Sequence, residues 1–366
     1  MSAPLAYPRA TLNAAALRDN LAVVRRYAPT SRVIAVIKAN AYGHGMVPAA
    51  RALTTADALA VARPVEAVAL RDAGITQRIL LLEGVTSVDE LQQAATSSFD
   101  LVVHSQAQID MLREFAGGHR FAVWFKVNTG MNRLGFAAHE VADAYRAVQA
   151  CESVGELRLM THLASGEESD GAQTSEQLEK FAARTAGLAG ERSIANSAGL
   201  IASPASRADW VRPGIMLYGI SPFPTVEAAQ LGLVPVMSLS TALIAVRGVR
   251  AGEGVGYNAT WAASSDTQIG IAAIGYGDGY PRGASNGAPV LFRGQATRVV
   301  GRVSMDMIAI DLSAFDAPKL GEEVVLWGDG LPVERVAQHV GTIGYELVCH
   351  VNQRVRAEWK GLAVSG

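Results

Sequence analysis

DLVVHSQAQIDMLREFAGGHRFAVWFKV, residues 100–127, contains two short apolar runs separated by one amphipathic stretch. The runs DLVVH (100–104) and FAVWFKV (121–127) read as buried strands, and SQAQIDMLREFAGG (105–118) reads as a helix that closes on glycine. The same rhythm extends to both sides. Further strands are expected at RVIAVIK (32–38), ALAVA (58–62), RILLL (78–82), ELRLMTH (156–162), RSIAN (192–196) and ADWVRPG (208–214). Helices are expected at RPVEAVALRDAG (63–74) and QLEKFAARTAGLAG (177–190), the latter with Leu178, Phe181 and Leu188 on one face and both closing on glycine. Eight strands alternating with helices fit a closed parallel (β/α)8 barrel better than an open doubly wound sheet. No GxGxxG follows the first strand, which also speaks against the open sheet.

Near residue 230 the texture changes. MSLSTALIAVRGVRAGEGVGY (237–257), TQIGIAAIGYG (267–277), PVLFRGQATRVVGRVSMDMIAIDL (289–312) and EEVVLWGD (322–329) are strand-like runs broken by glycine, with little helix. The fold class is therefore α/β: an N-terminal (β/α)8 barrel over residues 1–230, then a mostly antiparallel β domain over 231–366. SPFPTVEAAQLGLVP (221–235) is the expected hinge, and the first ~10 residues are free to pack with the second domain.

The chain has 366 residues, more than a single core of roughly 250–300 residues accommodates. Hydrophobic content is 49%, mean hydropathy +0.18 and net charge −2. No basic run invites a nucleic acid or an anionic membrane, and no apolar stretch approaches the ~20 residues of a bilayer span. Cys151 and Cys349 are read as two reduced thiols, and no metal-ligand spacing is present. MSAPLAYPRATLN lacks the pattern of a signal peptide, so a cytoplasmic protein is expected.

The segment with the clearest chemistry is VIKANAYGHG, residues 36–45. A lone lysine at a strand end is usually a surface residue. Lys38, however, ends an apolar strand at what would be the C-terminal mouth of the barrel, where such enzymes keep their chemistry. A partly desolvated lysine there is neutral often enough to form a Schiff base.

This string resembles the cofactor-attachment motif of the alanine racemases, a family of pyridoxal-phosphate enzymes of fold type III. The resemblance continues through KVNTGMNRLGF (126–136), MTHLASGE (160–167), IANSAG (194–199), DWVRPGIMLYG (209–219), VGYNATW (255–261), IGYGDGYPR (274–282), VGRVSMDM (300–307) and GTIGYELVC (341–349). The KVNTGMNR, SLS, GYPR and GYELVC contexts are most similar to the catabolic enzymes of Gram-negative bacteria.

The resemblance implies pyridoxal 5'-phosphate held on Lys38, with Lys38 and Tyr257 as acid/base groups on opposite faces of the substrate α-carbon. It gives the phosphate to Tyr42, Ser197, the backbone amides of Gly214 and Ile215, and Tyr345. It sets Arg212 at the pyridine nitrogen with His162 supporting it, Arg133 near the cofactor phenolate and the substrate, and the Met305 amide at the substrate carboxylate. Lys126 matches a lysine that is carbamylated in several relatives, although Asn128 stands where an aspartate is frequent. Leu163 and Gly277 replace a more usual aromatic and alanine, the glycine expected only to loosen a turn.

The implied activity is interconversion of L- and D-alanine by a homodimer with shared sites, supplying D-alanine for peptidoglycan or serving L-alanine breakdown. Arg212 is always charged and cannot accept a proton, so the ring nitrogen is expected to stay unprotonated. Tyrosine, with a pKa near ~10, needs that value lowered to act as a base, and the Arg212–His162 neighbourhood is the expected cause. A broad-specificity racemase, a fold-type-III decarboxylase and a non-enzymatic pyridoxal-phosphate carrier are the competing readings. The carrier resembles the barrel alone, and decarboxylation calls for a stronger electron sink than an arginine permits.

Overall fold

Short apolar strands can satisfy their backbone groups only by pairing with one another, and the first two-thirds of the chain does this in a ring. In a computed structural model that describes residues 8–168 and 171–362, eight parallel strands close a barrel. They are Arg32–Val36, Ala58–Val61, Ile79–Leu81, Phe99–Val103, Phe121–Lys126, Val154–Met160, Arg192–Ser193 and Trp210–Val211. The ring closes where Arg32 and Val33 register with Trp210 and Val211. Each strand overlaps one of the eight runs read from the sequence.

The helices differ from expectation in their ends. Pro64–Asp72 begins on proline, whose missing N–H is no loss at that position, and Gly74 follows its cap with φ 79°. Helix Gln106–Glu114 stops at an extended Phe115, so Gly117 and Gly118 lie in the loop beyond it. The third helix runs Ala172–Arg184 and excludes Leu188. Its buried face is Thr174, Gln177 and Phe181, not the leucines. Gln177 can be buried because its amide is fully used: Oε1 accepts from Ala164 N at 2.8 Å, and Nε2 donates to Thr129 Oγ1 and His162 O, both at 3.0 Å. A search for apolar periodicity passes over such a residue.

The chain forms two compact units. One comprises residues 18–41 and 45–217 and contains the barrel. The other takes in 42–44 and residues 218–362, together with 8–17. Residues 221–235 therefore lie inside the second unit, and the division falls at Leu217–Tyr218. Of the first ten residues, 1–7 lie outside the described set. Strand Arg9–Asn13 pairs antiparallel with Met237–Leu239 and Ser240 and parallel with Arg356–Lys360.

The second unit is built on an eight-stranded, mostly antiparallel sheet in the order Thr267–Ala272, Ile308–Asp311, Gln295–Val300, Pro289–Phe292, Glu323–Trp327, Met237–Val249, Arg9–Asn13, Arg356–Lys360. The long strand Met237–Val249 also pairs with Thr267–Ala272 across an irregularity between Leu243 and Ala245. It can thus turn the sheet back on itself. Two helices, Val333–Val340 and Gly344–His350, interrupt the β texture.

Candidate active site

Lys38 lies two residues beyond Val36, the last residue of the first barrel strand. The chain then makes a turn of the wrong hand: Ala39, Asn40, Ala41 and Tyr42 have φ of 53°, 52°, 54° and 52°. Left-handed backbone disfavours a residue with a Cβ by about 1–2 kcal/mol, so the turn needs external support. Glu66 provides it, accepting from Ala39 N at 2.7 Å through one oxygen and from Ala62 N and Arg63 N through the other. Asn40 accepts from Met46 N at 2.9 Å, and Ala41 N donates to Ile37 O at 2.9 Å. Glu66 escaped the sequence reading. Its position after Pro64 marks a helix start, but nothing local to it points at Ala39.

Arg212 is buried at the end of the eighth strand. Nη1 donates to Ser193 Oγ at 2.6 Å, and Nη2 donates to Thr161 O at 2.6 Å and Ile194 O at 3.2 Å. Nη2 also lies 3.2 Å from His162 Nδ1. These partners are neutral. Burial lowers the guanidinium pKa to about 10, so it remains charged at neutral pH. Because Arg212 can only donate, Nδ1 of His162 is the accepting, unprotonated nitrogen. Burial first, then the charges of Arg212, Lys126, Arg133 and Lys38, push the His162 pKa well below its usual value.

Lys126 ends the fifth strand and is only 9% exposed. Burial lowers its pKa to about 8, and the charges acting on it are Arg212, Arg133 and Lys38. Lys38, Lys126, Arg133 and Arg212 thus form a field of one sign about a neutral imidazole. Asn128 does not oppose it. Its side-chain oxygen accepts from Gly130 N and Asn132 N, and its amide donates to Asn132 Oδ1.

Ser197 begins the short helix Ser197–Ala202 and is buried. Its Oγ accepts from Gly214 N at 2.9 Å and Met216 N at 3.4 Å. The structure therefore joins Ser197 to Gly214 as anticipated in the sequence. Met216, the second residue of the 3-10 segment Ile215–Tyr218, joins the cluster unannounced. Both of these bonds use Ser197 Oγ as acceptor, which leaves its hydroxyl hydrogen able to donate to an anionic group placed after strands seven and eight. Together with four cations, this hydroxyl suits a cofactor carrying a phosphate and a phenolate.

The remaining candidates belong to the second unit. Tyr42 and Tyr345 have ring centroids 6.1 Å apart. Burial, then Tyr345 and Cys349, raise the Tyr42 phenol pKa, so it stays a hydrogen-bond donor. Tyr257 opens the turn Tyr257–Ala259 and is 68% exposed. Met305 is 52% exposed on a turn fixed by Gly277 N to Met305 O at 2.8 Å and Tyr276 N to Ser304 O at 3.1 Å. Gly277 lies against the far end of the flexible Arg354 side chain, which can move aside. A Cβ there would lie 2.3 Å from Arg354 Nη1, and Arg354 pairs with Asp306 at 2.6 Å and Asp278 at 3.2 Å.

A parallel eight-stranded barrel with a lysine and a buried arginine at its strand ends, joined in one chain to an antiparallel β unit, defines a class of two-domain barrel enzymes. Within that class, residues 12–222 match the family model of the alanine racemase N-terminal domain and 236–359 that of the C-terminal domain. The chain belongs to the alanine racemase family. It is 50% identical over 351 residues to the alanine racemase of Aeromonas hydrophila, covering 96% of this chain and 98% of the relative. It is 47% identical over 365 residues to that of Vibrio cholerae, covering all of both chains. The biosynthetic alanine racemase from Pseudomonas aeruginosa superposes with a TM-score of 0.94 at 42% identity, over 97% of this chain and 99% of that one. The Bartonella henselae alanine racemase, solved with covalently bound pyridoxal phosphate, superposes with a TM-score of 0.88 at 29% identity, over 97% of this chain and 100% of that one.

Proposed function

We propose that the protein racemises alanine with pyridoxal 5'-phosphate, using Lys38 and Tyr257 as opposed acid and base. The observation that carries this is the field of cations at the strand ends, where buried Arg212 lies 3.2 Å from His162, and Lys126 and Arg133 line one cavity with that histidine. Such a field calls for an anionic ligand. Ser197 and the amides of Gly214 and Ile215 on the barrel, with Tyr42 and Tyr345 of the second unit, are the proposed phosphate ligands. The cofactor, when bound, supplies an electron sink that makes the α-proton of an amino acid removable.

The protein's residues do the rest. Arg212 holds a donor toward the ring nitrogen and keeps a proton off it, while His162, neutral, fixes the guanidinium in place. The Met305 amide and Arg133 orient the substrate. Lys38 takes the α-proton from one enantiomer and Tyr257 returns one to the opposite face; from the other enantiomer the roles exchange. One proton leaves Cα and one arrives, so the overall reaction is an inversion. Lys126, with a pKa near 8, has enough neutral amine for carbamylation, which would place an anion among these cations.

The high exposure of Tyr257 and Met305 supports a homodimer in which each site takes Lys38 from one chain and Tyr257 from the other. Chiral chromatography of products from a panel of L-amino acids tests the activity. D-alanine should form from L-alanine. Carbon dioxide release instead of inversion refutes the reading, as does unchanged L-alanine.

A further inference from the structure

Tyr42 is backed by an aromatic stack within the second unit. The Tyr218 ring centroid lies 4.9 Å from that of Tyr42 and 4.6 Å from that of His44, with interplanar angles of 34° and 32°. Tyr218 and His44 are almost wholly buried. His44 Nδ1 lies 2.9 Å from the carbonyl oxygen of Tyr42. A carbonyl only accepts, so Nδ1 carries the hydrogen and donates it. The main-chain carbonyl of His44 accepts in turn from Trp359 Nε1 at 3.2 Å. His44 is thus fixed by its backbone and uses its ring to fix Tyr42.

Tyr42 needs such a restraint. Its φ of 52° is one that a residue with a side chain seldom adopts. The next residue, Gly43, has φ 80°, and a Cβ there would lie 2.0 Å from Val348 O. The chain therefore reverses against helix Gly344–His350, the helix that carries Tyr345. A small rotation of the Tyr42 peptide would swing its phenol away from Tyr345.

We propose that His44 is a positioning residue for the cofactor phosphate. Its bond to the Tyr42 carbonyl, with the Tyr218 ring tilted against both side chains, holds the Tyr42 phenol where it can donate to a phosphate oxygen. This rests on the reading of Tyr42 as a phosphate ligand. It assigns to the histidine a role in binding and none in proton transfer.

The test uses the natural cofactor and its dephosphorylated form. Cofactor-free wild-type protein, H44F and H44Q are titrated with pyridoxal phosphate and with pyridoxal, and binding is followed by absorbance. H44F keeps a ring for the stack and deletes the N–H, while H44Q keeps an N–H and deletes the ring. Loss of one buried hydrogen bond should weaken pyridoxal phosphate binding to H44F about tenfold, with pyridoxal binding unchanged. H44Q should recover part of that loss. If H44F weakens both ligands equally, or neither, the proposal is overturned. If wild-type protein itself shows no preference for the phosphorylated form, it is the phosphate reading that fails. Should H44F not fold, His44→Leu takes its place under the same two expectations.

Discussion

Replacing Lys126 by methionine should stabilise the cofactor-free protein, although it removes a charged side chain from the candidate site. The ammonium is buried, and the charges acting on it are like charges. A pKa that falls from 10.5 unfolded to about 8 folded, at about 1.4 kcal/mol per tenfold change, makes the protonated form about 3 kcal/mol harder to fold. The folded value is depressed, so the unfolded chain binds more protons between the two values. Stability from this group is complete above pH 10.5 and is lost as pH falls toward 8. Lys126→Met retains most of the aliphatic volume and removes the charge. Urea unfolding at pH 7 should show the variant more stable by about 1–3 kcal/mol, after allowance for relaxation around the charge. At pH 10, with the folded lysine mostly neutral, the gap should shrink to about 1 kcal/mol or less. Bound cofactor brings anions to the site and should narrow the gap at pH 7 as well. A variant less stable than wild type at pH 7, or a gap that does not change with pH, refutes this account of the cation field.

Purified protein should absorb near ~420 nm, and borohydride should fix the cofactor on Lys38; peptide mapping that finds the label on another lysine removes Lys38 from its role. Arg212→Glu puts a proton acceptor at the ring nitrogen, so racemisation should fall while a new long-wavelength absorption appears. Full activity with an unchanged spectrum would mean that Arg212 does not govern the reaction's course. Lys38→Ala and Tyr257→Ala homodimers should each be nearly inactive. Co-expressed at random, roughly half the dimers are mixed with one intact site of two, restoring about a quarter of wild-type activity. Mixed dimers isolated without activity would show that each site is built from a single chain.

The first five barrel strands were legible because a parallel strand buried on both faces must be a nearly continuous apolar run, whereas Val154–Met160 is exposed at Gly155 and Glu156 and the last two, Arg192–Ser193 and Trp210–Val211, are only two residues long. Helix ends were less legible. Gln177 is polar in sequence and buried in the fold, because its partners Thr129, His162 and Ala164 come from loops distant in sequence. At the site, the family resemblance paired Arg212 with His162 and Ser197 with Gly214, and each pair is in hydrogen-bond contact. Glu66 and Met216 were missed for opposite reasons. Glu66 acts through a carboxylate that in sequence belongs to a helix start. Met216 acts through a backbone N–H that no side-chain pattern records. The hand of the Ala39–Tyr42 turn was also hidden, since none of its four residues is glycine.

The strand Arg9–Asn13 lies between Met237–Val249 and Arg356–Lys360, which bears on how the protein is made. A ribosome releases this strand about 340 residues before its parallel neighbour Arg356–Lys360. At roughly 5–20 residues per second, the strand waits on the order of 20–70 s for Arg356–Lys360. The residues of the barrel unit, 18–217, are all available well before that. Through the interval the early strand has a bare edge, which could pair with a strand of another nascent chain. Its brevity and its polar alternation of Arg9, Thr11 and Asn13 limit that hazard. A chain truncated before residue 356 never covers the edge, so it should be aggregation-prone and not merely a slightly weakened enzyme.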